Sequence, residues 1–151
     1  MKKKLIYEYF SDDDFLRISN KITEAEKTTS GEIRVSIKEK VPFLQRNKSL
    51  MEQAKTEFFK LKMDATRDKT GILLFISLAT KQFQILADSG INEKVDQSVW
   101  DEIRDRLQSD FKTGNFTLGI KECIGAIGKV LSEHFPIKPD DTNELSNKVV
   151  F

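Results

Sequence analysis

Five consecutive apolar residues, Ile72-Leu73-Leu74-Phe75-Ile76, set between Gly71 and Ser77, constrain this chain more than any other feature. The run falls far short of the ~20 apolar residues of a membrane span and has the length of a buried strand. Successive strand side chains point to opposite faces, so a strand that is apolar at every position must be covered on both. Gly71 to Leu78 is therefore predicted to be a central strand with helices on both sides of its sheet.

The flanking sequence supplies those partners. Glu32-Ile33-Arg34-Val35-Ser36-Ile37-Lys38 alternates polar and apolar residues and reads as a half-buried strand. Pro42 ends that pattern, and Leu50, Met51, Ala54, Phe58 and Leu61 then mark a helix. Strand, helix, strand predicts a crossover and a parallel pair. Beyond Ala79-Thr80-Lys81, the alternation of Phe83, Ile85 and Ala87 with Gln82, Gln84 and Asp88 predicts a hairpin. A turn centred on Thr80 sets Asp88 opposite Ile72. Ser11 followed by Asp12, Asp13 and Asp14 opens an earlier helix carrying Phe15, Ile18, Ile22 and Ala25. Val95, Val99, Ile103 and Leu107 mark a third helix, and Ile120, Cys123, Ile124, Ile127 and Leu131 a fourth that Pro136 and Pro139 stop. The predicted fold is α/β: a single-domain sandwich over residues 1–151, with a small mixed sheet of three to four strands, a parallel pair plus a hairpin, packed by about four helices. Its core spans about residues 11–135, and 136–151 form a C-terminal tail.

Composition removes several functions. Twenty-five basic against 24 acidic side chains leave a net charge of +1, too small a field to hold nucleic acid or an anionic membrane. The single Cys123 excludes an intramolecular disulfide and a multi-cysteine zinc site, and the single His134 excludes sites needing two imidazoles. Met1-Lys2-Lys3-Lys4 opens like a secretory leader, but the apolar run after it meets Glu8 at once. The expectation is a cytoplasmic protein with no direct membrane insertion and no organic cofactor.

Most local motifs have a structural reading. Asp12-x-Asp14 caps a helix rather than leaving a strand, as the paired aspartates of phosphoryl transfer would. Cys123 followed by Gly128-Lys129 has the outline of a cysteine phosphatase loop, but lysine replaces arginine and Cys123 lies on an apolar stripe. Gly125-Ala126-Ile127-Gly128-Lys129 lacks the spacing of a phosphate loop, and its glycines read as close helix packing. One constellation remains. The hairpin carries Asp88 toward Asp64 and Asp68, with Glu93 and Asp96 leading into the next helix. Carboxylates without His or Cys suit calcium or magnesium, which take oxygen ligands. Spacing alone leaves open that these are solvated loop residues and helix caps.

Four strings resemble, in order and spacing, the TPM domain, a family named partly for a thylakoid-lumen acid phosphatase of photosystem II repair. They are Ser30-Gly31-Glu32-Ile33-Arg34-Val35, Gly71-Ile72-Leu73-Leu74-Phe75, Phe83-Gln84-Ile85 leading to Gly90-Ile91, and Phe111-x-x-Gly114-Asn115-Phe116-x-x-Gly119-Ile120. Asp88-Ser89-Gly90-Ile91-Asn92 and the tail from Phe135-Pro136 to Leu145 are similar to a soluble bacterial branch. The resemblance implies a single α/β sandwich, an acidic loop region that binds calcium in some relatives, and weak phosphatase activity as in a plant member. Residue by residue, Asp64 resembles the aspartate before the central strand, Asp68 the polar position ahead of its glycine, and Asp96 the acid after the glycine-hydrophobic turn. Asp88 stands where many relatives carry a small or apolar residue. Many relatives also have an export signal and a C-terminal anchor, neither of which is read here.

Two functions follow from this. One is an interaction or assembly module that docks a protein partner, by resemblance a membrane protein of the LemA type, with a cation serving only to order the loops. The other is a weak metal-assisted acid phosphatase in which Asp64, Asp68, Asp88 and Asp96 hold the cation. No nucleophile is assigned; Ser89 is equally an ordinary turn residue.

Overall fold

Among the described residues three strands make the sheet: β1 (Glu32–Lys38), β2 (Gly71–Ser77) and β3 (Gln82–Ala87), in that spatial order. β1 runs parallel to β2, and β3 antiparallel to it, so the apolar run is central, as its composition requires. The computed structural model describes residues 5–41, 43–139 and 145–151. Pro42, the leader-like Met1 to Lys4 and the acidic part of the tail from Asp140 to Glu144 lie outside them.

Among the described residues six helices surround the sheet: α1 (Ile6–Tyr9), α2 (Asp12–Glu26), α3 (Leu50–Lys60), α4 (Ser89–Asn92), α5 (Gln97–Lys112) and α6 (Phe116–His134). The four longer ones match the four predicted stripes. The single turns α1 and α4 are additions, too short to show a period. On one face Ile33, Val35, Ile37, Ile72, Leu74, Ile76, Phe83 and Ile85 join the apolar stripes of α2, α5 and α6 in the main core. On the other, Leu73 and Phe75 pack with Ala54 and Phe58 of α3 and with Met63. β2 therefore has helices on both sides and is buried at every position. Among the described residues no helix is long and apolar enough to cross a membrane.

Local chemistry fixes the ends of the elements. Ser11 and Asp14 close a capping box on α2: the Ser11 hydroxyl accepts from the Asp14 amide at 3.2 Å, and the Asp14 carboxylate accepts from the Ser11 amide at 2.9 Å. Such a cap stabilises a helix by about 1 kcal/mol. Gly128 lets α6 approach α2, since a Cβ there would lie 2.9 Å from that of Ala25.

Three features differ from the sequence reading. The hairpin register pairs Ile72 with Ala87 rather than with Asp88. The cause is a four-residue turn, Leu78 to Lys81, closed by the Lys81 amide donating to the Leu78 carbonyl, with Lys81 at φ 52°. β1 is more buried than simple alternation predicts, because Glu32 and Ser36 on its polar face are covered as well. The tail also joins the sheet: Val150 bridges to Ser36 in parallel sense, its amide donating to the Val35 carbonyl at 2.9 Å and its carbonyl accepting from Ile37 at 2.8 Å.

Candidate functional site

The acidic candidates collect where β1 and β2 begin and β3 ends. Register sets Glu32 beside Gly71, and the Asp88 amide donates to the Gly71 carbonyl at 2.9 Å, so the three residues form a row across the sheet. The segment before β2 folds over this end. It contains a one-turn 3-10 helix, Met63–Ala65, and a turn in which the Thr66 hydroxyl accepts from the Thr70 amide at 3.1 Å and Lys69 takes φ 57°. Two glycines make the approach possible. A Cβ on Gly71 would lie 2.7 Å from the Met63 carbonyl oxygen; one on Gly90 would overlap the Asp68 carbonyl and sit 2.5 Å from that of Lys69. The loop carbonyls of Asp68 and Lys69 thus close directly on the turn that Asp88 begins.

Each predicted ligand has a definite place. Asp88 caps α4 through Oδ1, which accepts from the Ser89 amide at 2.7 Å, while its Oδ2 is buried and has no hydrogen-bond partner among the described residues. The Asp68 carboxylate pairs with Arg67 at 3.2 Å and with Lys138 at 3.3 Å, and hydrogen bonds from those two cations lower its pKa. Asp96 is the N-cap residue of α5, and its Oδ2 accepts from the Ser98 hydroxyl at 2.7 Å. Asp64 lies in the 3-10 turn, its main-chain carbonyl accepting from Lys69 Nζ at 2.6 Å, and Glu93 ends α4. Among the described residues no three His, Cys, Asp or Glu side chains are grouped to hold a metal ion. The oxygens at this end of the sheet are the Asp88 carboxylate and the main-chain carbonyls of Asp68 and Lys69 that close on Gly90, donor types that calcium takes.

Sequence reasoning missed a neighbouring carboxylate. Glu26, at the end of α2, accepts from the Ile33 amide at 2.7 Å through Oε2. Burial, with help from the negative charge of Glu32, pushes its pKa up to about 8 against the hydrogen bonds from Ile33 and Asn147. Its signal in the sequence was a glutamate seven positions before the start of a strand's apolar stripe, which carries no recognisable period. The other titratable candidates are structural. Cys123 is buried, and burial followed by the charge of Asp110 raises its thiol to about 12, so it supplies no thiolate at neutral pH. His134 is exposed in the last turn of α6.

Sequence comparison decides the kinship of this arrangement: the family model for the TPM domain matches residues 7–130. The chain belongs to the TPM domain family. This TPM domain is similar to the BA42 protein of the psychrophilic bacterium Bizionia argentinensis, known from an NMR structure, at 36% identity over 99% of both chains with a TM-score of 0.85. It shares its fold with the N-terminal domain of a protein from P. gingivalis, known from a solution NMR structure, at 16% identity, 84% coverage of this chain, 79% of that one, and a TM-score of 0.68. No curated protein matches the chain.

Proposed function

We propose that this TPM domain is an interaction module, working in the cytoplasm, whose acidic loop end is ordered by a divalent cation. The observation that carries the reading is the Asp88 carboxylate: one oxygen caps α4, while the other is buried and, among the described residues, without a hydrogen bond, near the loop that covers Gly90. A buried acceptor of that kind is costly unless something supplies positive charge to it. Calcium fits better than magnesium, because it accepts irregular sets of carboxylate and carbonyl oxygens. Asp88 would hold the ion with loop carbonyls, and Asp64 and Asp96 are the further candidate ligands; Asp68 would have to exchange Arg67 and Lys138 for the ion to take part. The ion would tie the 66–70 turn to the start of α4 and so stiffen the face offered to a partner. By family resemblance that partner is a membrane-anchored protein of the LemA type.

Calorimetric titration of calcium and of magnesium into chelator-treated protein tests the site. Saturable binding and a raised Tm, both lost in Asp88→Asn, are expected; Asn retains the helix cap and removes the charge. No heat and no change in Tm would refute it. The second reading, a weak metal-assisted phosphatase, rests on the family resemblance and predicts turnover of p-nitrophenyl phosphate that requires the cation and is lost in the same variant.

A further inference from the structure

A second polar site lies at the opposite end of the sheet, where the parallel strands finish. Lys38 and Ser77 are register partners there, and Gln53, Glu57 and Lys60 of α3 face them at helical spacing. With Lys40 they line a pocket of about 90 Å³ at the carboxyl ends of β1 and β2, the end at which open α/β sheets characteristically bind ligands. The space between a helix and a sheet is normally filled by apolar side chains. Here Ser36, Gln53, Glu57 and Ser77 are all buried, with Glu57 only 4% exposed. A cluster of buried polar side chains between helix and sheet departs from the hydrophobic pattern, and such departures are expected at functional or strained sites.

The charges are arranged to receive an anion. Glu57 Oε2 accepts from the Ser36 hydroxyl and holds Lys38 Nζ at 2.9 Å, so the Lys38 ammonium is fixed in the wall of the pocket. Lys40 and Lys60 form no ion pair among the described residues. Three ammonium groups face one carboxylate, leaving positive charge uncompensated in a partly enclosed space. Two apolar side chains lie close in sequence to the lining residue Gln45: Phe43 and Leu44, on the same 3-10 turn, are 76% and 88% exposed, with the Arg46 guanidinium 5.1 Å from the centre of the Phe43 ring.

We propose that this pocket seats an aspartate or glutamate side chain from an extended acidic segment of a protein partner, with a neighbouring apolar residue of that segment on Phe43 and Leu44. The inference rests on the interaction reading above and names the chemistry of the partner. Small size and the Ser77 hydroxyl, which accepts from the Thr80 hydroxyl at 2.9 Å and keeps its own proton to donate, suit a single carboxylate. A membrane surface is the weaker fit, since electrostatic docking on anionic lipid takes clusters of about 4 to 8 basic residues and the chain carries a net charge of only +1.

The test is fluorescence anisotropy with a capped, rhodamine-labelled peptide of alternating glutamate and leucine, beside its glutamine-leucine counterpart. The acidic peptide should bind saturably, more weakly as salt rises, and at least about tenfold more weakly to Lys40→Glu/Lys60→Glu. Both lysines are exposed, so the variant should stay folded, with only a small fall in Tm from reversing the charge in the last turn of α3. Phe43→Ser should weaken binding about threefold or more. No binding, or equal binding of the two peptides, overturns the proposal. Binding untouched by the charge reversal keeps the interaction reading but overturns the pocket as its seat. Co-sedimentation with phosphatidylcholine–phosphatidylserine vesicles that the same reversal abolishes, with no peptide binding, makes a membrane the occupant instead. Calcium titration of the reversed variant reports on the other end of the sheet, so failure there is seen separately.

Discussion

Replacing Glu26 by glutamine probes the electrostatics of the sheet's acidic end. The carboxyl is half-buried beneath the start of β1, and burial, followed by the like charge of Glu32, raises its pKa from 4.5 to about 8. The folded chain therefore keeps this proton at pH values where the unfolded chain has released it. The stability this contributes is fully present below about pH 4.5, declines as pH rises, and is lost once pH passes about 8. At about 1.4 kcal/mol per pH unit the full span is roughly 5 kcal/mol. Solvent reaches a half-buried carboxylate, which reduces the working figure to about 2–3 kcal/mol. Glutamine retains a carbonyl oxygen to accept from the Ile33 amide and never ionises. Urea unfolding followed by circular dichroism, near pH 5 and near pH 8.5, should give similar midpoints for both proteins at the lower pH. At the higher pH Glu26→Gln should be more stable by about 2–3 kcal/mol. Parallel pH profiles for the two proteins would refute the raised pKa, and a variant weaker at both pH values would show that the charged form is the one the fold stabilises.

Gly90→Ala should cost about 1–3 kcal/mol, read as a fall in Tm, because the added Cβ meets main-chain carbonyls of Asp68 and Lys69 that have little room to retreat. An unchanged Tm would show that the loop is not packed on α4 in solution. Glu57→Ala should lose about 2–4 kcal/mol by leaving the Lys38 ammonium and the Ser36 hydroxyl without their acceptor. Adding Lys38→Met should recover part of that in chemical denaturation, and simple additivity of the two changes would argue against the ion pair. Cys123 should resist an aromatic disulfide reagent in the native protein at neutral pH and react once urea unfolds it, since its thiol is buried and titrates near 12. Rapid native modification would contradict the packing of α6.

The parts of the fold legible in the sequence were those written by repetition. Ile72 to Ile76 announced a doubly covered strand, the alternation from Glu32 to Lys38 gave β1 its observed bounds, and the stripes of α2, α3, α5 and α6 carried enough turns to be seen. The hairpin register was off by one residue because a left-handed Lys81 leaves no compositional mark where glycine or asparagine would. The candidate site was legible only in part. Asp88 and the Asp68 loop do meet, through backbone that Gly90 admits, but Arg67 and Lys138 attend Asp68, and a partner seventy positions away cannot be read from spacing. Glu26 and Glu57 were missed for a common reason: each gains its meaning from an element distant in sequence, the first from Ile33 and Glu32, the second from Ser36 and Lys38.

The bridge between Ser36 and Val150 also bears on synthesis. A nascent chain that has already made β1, β2 and β3 can build the central pairings from its own earlier residues, but the outer side of β1 must wait for a segment translated far later. During that interval the Val35 carbonyl and the Ile37 amide are an open template, the kind of unpaired edge on which neighbouring chains aggregate. Lys38 and Lys40, at the end of that strand, would then act as guards, keeping growing chains on a crowded polysome apart until Val150 arrives.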